Sequence, residues 1–273
     1  MNVKNIRLGL IGKDVSRSES ERIHKFILGE WNVECYYERF SVSPAEFDTA
    51  MRRLMGDFDG FNVTIPYKRD VFEYLDEIVG DAFDCGAVNT VLTQTKTGYN
   101  TDGVGCILML EAAGISVKDK KVLVLGAGGA GRSSAAALKK AGANVWMYRR
   151  NKTELAEVCA QLSVSAADDL KTGGFDILIN ATGVGMHDTE GISPVDENAF
   201  AGAETAVDLI YVPAESEFLR IAKKLGKKTL NGAEMLFYQA YFADCLYLDR
   251  KPNAEEVRSL YEKYLAEISE GKI

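Results

Sequence analysis

The chain has 273 residues, 47% of them hydrophobic and 26% charged, with a formal net charge of −8. That length favours two domains over one, and the absence of a long unbroken apolar run argues against a membrane helix. The acidic balance argues against nucleic acid as a partner and leaves small metabolites.

Cys35, Cys85, Cys106, Cys159 and Cys245 are odd in number and widely scattered, and His24 and His187 are the two histidines. Neither a disulfide framework nor a metal site is expected from such a set. The start, Met1 to Arg7, lacks the apolar stretch of a secretory signal, so a cytoplasmic location is expected.

Apolar runs at 7–12, 34–40, 60–64 and 87–93 predict strands separated by amphipathic helices. Ser43, Pro44 and Glu46 mark one helix start, with a Ser cap, Pro at the first helical position and Glu three residues after the cap. The segment Asn62-Val63-Thr64-Ile65-Pro66-Tyr67-Lys68 ends a strand in polar groups, turns at Pro66 and presents a lysine. A second polar cluster, Asn100-Thr101-Asp102-Gly103, opens a helix over 102–113 that Gly114 closes. Asp102 is placed both to cap that helix and to face a ligand, and the domain boundary is set there.

A second α/β series begins with the apolar strand 121–125 and continues through 144–148, 175–180 and 206–211, an alternation that implies a parallel sheet. Between its first strand and an alanine-rich helix lies Gly126-Ala127-Gly128-Gly129-Ala130-Gly131. In that context GxGxxG holds a pyrophosphate: Gly126 makes the turn, Gly128 lets the backbone approach, and Gly131 permits close helix packing. The next strand ends in Tyr148-Arg149-Arg150, where an NAD site would place a carboxylate. Two guanidinium groups suit a 2′-phosphate, so NADP is the expected cofactor.

Residues 232–248 are apolar on nearly all sides and predict a buried helix that returns to the first domain. Asn253 and Glu256 have capping-box spacing at the start of a final helix.

Five segments, NVTIPYK at 62–68, AVNT at 87–90, NTDG at 100–103, GAGGAG at 126–131 and NGAEMLFYQ at 231–239, together resemble the shikimate dehydrogenase family along almost the whole chain. The resemblance implies an α/β fold of two α/β domains: an N-terminal substrate domain (1–102) completed by C-terminal helices (237–273), and a Rossmann NADP-binding domain (103–236). It implies reduction of 3-dehydroshikimate to shikimate with NADPH, in aromatic amino-acid biosynthesis, and is compatible with a homodimer. Lys68 and Asp102 become the catalytic pair, Thr64, Asn89 and Gln239 hold ring hydroxyls, Ser18 and Ser20 hold the carboxylate, and Tyr211 also reaches the substrate. On the cofactor side, Gly129 and Ala130 join the glycine turn, Thr182 borders NADP and Gly232 lies against the nicotinamide.

The first loop departs from the family pattern at Lys13, Asp14, Arg17 and Glu21, and Gly183 stands where the family has serine. Arg17 adds attraction for an anion while Glu21 beside Ser20 opposes it. Preference for quinate, weighed against by Ser20, and a noncatalytic NADP-binding role, weighed against by Lys68 with Asp102, are the competing readings.

Overall fold

The computed structural model describes residues 4–170 and 174–273, so Met1 to Val3 of the start read above lie outside the described residues. It divides into two compact units, Met1–Gly105 with Leu236–Ile273, and Cys106–Met235. The divisions fall inside continuous helices at 105/106 and 235/236, whereas the sequence expectation set them at 102/103 and 236/237. No helix among the described residues is long and apolar enough to cross a membrane.

The first unit begins with β1 (Lys4–Gly12), α1 (Ser20–Glu30), β2 (Val33–Ser41), α2 (Phe47–Asp57) and β3 (Gly60–Val63). It continues with β4 (Glu77–Ile78), α3 (Asp81–Cys85), β5 (Thr90–Leu92), β6 (Thr97–Tyr99) and the start of α4 (Asp102–Ala112). The sheet order is β2-β1-β3-β5-β6-β4; β1 runs parallel to β2 and β3, while β5 is antiparallel to both β3 and β6. Phe61, Met51, Leu54, Val71 and Val91 form a closed core against this sheet. Each such side chain contributes about 1.5–3 kcal/mol by leaving water.

Ser43, Pro44 and Glu46 open a 3-10 turn that runs into α2. The Glu46 carboxylate accepts from Ser43 N at 2.9 Å and Ser43 Oγ at 2.6 Å, and these bonds hold it below the usual carboxylate range.

In the second unit, β7 (Lys121–Leu125), α5 (Gly129–Lys140), β8 (Asn144–Tyr148), α6 (Lys152–Leu162) and β9 (Ser165–Ala166) precede β10 (Ile177–Asn180), β11 (Thr205–Asp208), α7 (Glu217–Lys224) and β12 (Lys228–Leu230). The sheet order is β12-β11-β10-β7-β8-β9, with every pairing parallel. That is the doubly wound Rossmann order, with its switch point between β7 and β10. Strands buried on both faces explain the continuous apolar runs at Val122 to Leu125 and Ile177 to Ile179.

The last helices are α8 (Ala233–Tyr247) and α9 (Ala254–Ser269). Phe237, Tyr238, Ala240, Tyr241 and Ala243 of α8 are buried, which is why its sequence shows no polar face. Asn253 caps α9, accepting from Glu255 N and Glu256 N at 2.8 and 3.0 Å. The Glu256 carboxylate does not close a capping box; it accepts from Tyr241 OH at 2.5 Å and Trp31 Nε1 at 3.2 Å and pairs with Arg250.

Several strand ends differ from expectation. The 87–93 strand begins only at Thr90: Val88 N bonds to the Lys68 carbonyl in the turn after β3, while Asn89 still reaches both neighbouring strands, its N–H on Tyr99 and its carbonyl on Val63 N. The 206–211 strand stops at Asp208, whose own carboxylate takes the Ile210 N–H.

Candidate active site

In the first unit, Lys68 Nζ forms an ion pair with Asp102 Oδ2, the two side chains being 12% and 10% exposed. Lys68 follows the turn after β3, where the Ile65–Pro66 peptide is cis, and its carbonyl accepts from Val88 N at 2.8 Å. Asp102 is the first residue of α4. Its expected capping role falls to Asn100, whose Oδ1 accepts the Asp102 N–H at 3.0 Å; the Asp102 carboxylate is taken by Lys68 and by Asn89 Nδ2 at 2.8 Å. Asn100 stands just ahead of the helix, where an Asx oxygen reaches a backbone N–H two residues on.

Asn89, 3% exposed, is the centre of this cluster. Its Nδ2 also lies 3.0 Å from Thr101 Oγ1 and 3.3 Å from Gln239 Oε1. Its Oδ1 accepts from Thr101 N and Thr90 Oγ1, both at 2.9 Å. Gln239, on α8, is anchored by Nε2 to the Leu236 carbonyl at 2.9 Å. The structure therefore brings Lys68, Asn89, Asp102 and Gln239 together. Thr64 lies at the end of β3, with its N–H on the Ile11 carbonyl at 2.9 Å.

Ser18 and Ser20 sit at the start of α1, joined by an Oγ–Oγ hydrogen bond of 3.0 Å. Ser18 borders a cleft of about 290 Å³ whose other walls are Glu19, Glu21, Arg22, Lys25 and Arg39. Glu21 there is paired with both Lys25, at 2.8 Å, and Arg39, at 3.3 Å, so its charge is offset within the cleft. Asp14 Oδ1 accepts from Ser16 N and Oγ at 3.1 and 2.7 Å, which makes an Asx turn where the family pattern has another residue pair.

In the second unit, Gly126 has φ +102°, and a Cβ there would stand 2.8 Å from the Ala181 carbonyl oxygen. A Cβ at Gly131 would collide with the Gly126 carbonyl, so both glycines are required by the protein's own packing. Gly128 differs: a Cβ there meets nothing within 4 Å, and Gly128 is the N-cap of α5. The residues present thus fit a pyrophosphate group, with Gly129, Ala130 and Gly131 supplying helix N-terminal N–H groups beside the open backbone.

Arg149 and Arg150 follow β8 directly; Arg149 is paired with Glu154 and Arg150 is exposed. Lys152 adds a third cation, its Nζ 4.6 Å from the Tyr148 ring centroid. Thr182 follows β10, its Oγ1 and N both bonded to Asn180 Oδ1, at 2.6 and 3.0 Å. Gly232 is buried and a Cβ would collide with the Leu209 carbonyl, which gives this glycine a packing reason of its own. Tyr211 is half-buried just beyond β11 in the same unit.

Asn62, Thr90 and Thr101 of the first unit fall inside the sequence segments without a role of their own, and the pattern gives no role to Asn180, Asp208 and Ser216 of the second. Asp208 is fully buried and accepts from Asn180 Nδ2 at 3.0 Å and Ser216 Oγ at 2.5 Å. Burial raises its carboxyl above the usual range against the pull of these bonds. The available signal was a polar residue closing an apolar strand, at Asn180 and again at Asp208. Among the described residues no group of three or more His, Cys, Asp or Glu side chains could hold a metal ion.

A dinucleotide turn at the switch point of one unit and a lysine–carboxylate pair in the other belong together in the nucleotide-dependent dehydrogenases, where a hydride and a proton are moved in one reaction. Residues 10–91 match the model of the shikimate dehydrogenase substrate binding domain. A shikimate dehydrogenase (NADP+) of Caldicellulosiruptor saccharolyticus is 37% identical over 96% of each chain, and one of Methanocaldococcus jannaschii is 35% identical over 95% of this chain and 97% of its own. Among solved structures, shikimate dehydrogenase 1 of Peptoclostridium difficile superposes with a TM-score of 0.87 at 34% identity, covering 95% of this chain and 97% of its own. Shikimate 5-dehydrogenase of Thermus thermophilus, solved in complex with NADP(H) and shikimate, has a TM-score of 0.85 at 33% identity, covering 94% of this chain and 99% of its own. The chain belongs to the shikimate dehydrogenase family.

Proposed function

We propose that this protein catalyses the reversible NADPH-dependent reduction of 3-dehydroshikimate to shikimate, in the cytoplasm, as a step of aromatic amino-acid biosynthesis. The observation that carries the reading is the Lys68–Asp102 pair, nearly buried, with the Asn89 amide donating to Asp102 and Gln239 held against Asn89. Family membership supplies the substrate and the cofactor. Five free cysteines, four of them buried, suit a reducing compartment.

When bound, the dinucleotide supplies the hydride that adds to the C3 carbonyl carbon. The Lys68 ammonium stands beside the carbonyl oxygen, offsets its developing negative charge and delivers a proton from Nζ, so that the product is the alcohol. Asp102 holds that ammonium in place and accepts from a substrate hydroxyl. Low exposure of the pair limits competing water and strengthens both interactions. Thr64, Asn89 and Gln239 orient the ring through its hydroxyls, and Ser18 and Ser20 donate to the carboxylate, with Tyr211 a further substrate contact. The cofactor is held by Gly126, Gly128, Gly129, Ala130 and Gly131 at its pyrophosphate, by Arg149 and Arg150 at its 2′-phosphate, and by Thr182 and Gly232 elsewhere.

The direct test mixes the purified protein with shikimate and NADP+ and follows the absorbance of reduced nicotinamide. Turnover with shikimate exceeding that with quinate is the expected result. Turnover with neither, alongside measurable NADP+ binding, would replace this reading with a binding protein that lacks chemistry.

A further inference from the structure

We propose that Thr90 is a positioning residue that sets the amide of Asn89 so that its N–H, and not its oxygen, faces the Asp102 carboxylate; this rests on the reading of Lys68 and Asp102 as the catalytic pair. An asparagine amide has a donor end and an acceptor end of nearly the same shape, and its orientation is decided by its partners. At Asn89 the two ends are told apart. Thr90 Oγ1 and Thr101 N both donate to Oδ1 at 2.9 Å, which leaves Nδ2 pointing at Asp102 Oδ1 at 2.8 Å. A rotated amide would set its oxygen against the carboxylate and its N–H groups against the Thr101 N–H.

Thr90 is itself held in the donating state. Asn62 Nδ2 donates to Thr90 Oγ1 at 3.4 Å and to the Asn89 carbonyl at 3.3 Å, so the Thr90 hydroxyl receives from one side and gives to the other. Asn62 Oδ1 in turn accepts from Tyr37 OH at 3.4 Å. Asn62, Asn89 and Thr90 are 5%, 3% and 0% exposed, so bulk water does not replace any of these bonds. The side-chain hydrogen bonds of Thr90 go to Asn89 and come from Asn62, so its hydroxyl acts on the pair through Asn89. The hydroxyl also takes a longer cross-strand bond from Asn62, its opposite number on β3, so the site role of Thr90 is read from its shorter bond to Asn89 Oδ1.

The test compares Thr90→Val, which keeps the shape and loses the hydroxyl, with Thr90→Ser, which keeps the hydroxyl, using Lys68→Ala as control. Thr90→Val is expected to lower kcat for shikimate oxidation about 3- to 10-fold, the worth of one neutral hydrogen bond, with the KM for NADP+ unchanged. Thr90→Ser is expected to restore kcat to within about 2-fold of the parent. Thr90→Ala makes the same comparison should Thr90→Val not fold. A parental kcat in the folded Val or Ala variant, or a loss in the Ser variant equal to that in Val, overturns the proposal. Near-normal turnover in Lys68→Ala instead overturns the assignment of the catalytic pair, whatever Thr90 does.

Discussion

His24 Nδ1 and Asp244 Oδ1 lie 2.6 Å apart with neither side chain exposed, tying α1 to α8. The pair is packed against Tyr37, stacked 5.2 Å from the imidazole, and Tyr247, at 6.4 Å. Removing one member leaves the other buried and unpartnered. His24→Leu is therefore expected to cost about 3–5 kcal/mol of stability, read from urea unfolding. A loss below about 1 kcal/mol would show that Asp244 finds another partner.

The same pair gives a pH dependence. Burial raises the Asp244 carboxyl above its ordinary 3.8, against the pull of His24. Folding then favours the protonated acid: its contribution to stability is complete below 3.8 and declines as pH rises through the raised folded value. Asp244→Asn does not titrate, so its stability relative to the parent should improve as pH rises from near 4. Tyr37, Tyr247 and Cys35, the other titratable groups around the pair, are all raised by burial and stay neutral in this range. Urea unfolding of both proteins across that range checks this, and a constant difference between them would refute it.

If Lys68 has the proposed role at the developing alkoxide, Lys68→Ala should lower kcat about 10²-fold or more while changing the KM for shikimate much less. Steady-state kinetics in both directions measure this. A large KM effect with normal kcat would make Lys68 a binding residue only.

Two glycines of the turn between β7 and α5 should respond in opposite ways. Gly131→Ala forces a Cβ onto the Gly126 carbonyl and is expected to destabilise the protein by about 1–3 kcal/mol. Gly128→Ala meets nothing within 4 Å and should leave thermal stability unchanged while raising the KM for NADP+. Melting curves paired with NADP+ titrations separate the two, and an unchanged KM in Gly128→Ala would remove that glycine from the cofactor site.

Arg150→Ala should raise the KM for NADP+ more than that for NAD+. Arg149→Ala should act in the same direction but from a side chain already engaged by Glu154, so Glu154→Gln is expected to lower the KM for NADP+ by freeing it. Parallel titrations with the two cofactors give the answer, and equal effects on both would deny the arginines a role in 2′-phosphate selection.

The doubly wound sheet was legible because β7 and β10 are buried on both faces and so read as unbroken apolar runs, the first of them leading into a glycine turn. The short strands were not. Ser165–Ala166 and Lys228–Leu230 lie at sheet edges, where one neighbour suffices and no apolar run is needed. Thr97-Gly98-Tyr99 carries its signal in Gly98, where a Cβ would press on Leu75 and Val88, a long-range constraint invisible to local pattern. At the candidate site, Lys68 and Asp102 stood out as polar groups at element ends. Thr90 and Asn62 did not, since a threonine or asparagine in a strand gains meaning only from the partner that folding brings to it.

The first unit is discontinuous: it needs Leu236–Ile273 to be complete, whereas Cys106–Met235 is one uninterrupted stretch. During synthesis the nucleotide unit is therefore whole before the ribosome has released the partner of His24 or the side chain of Gln239. The first half of the chain must wait, with its α1 face uncovered, until the last helices arrive.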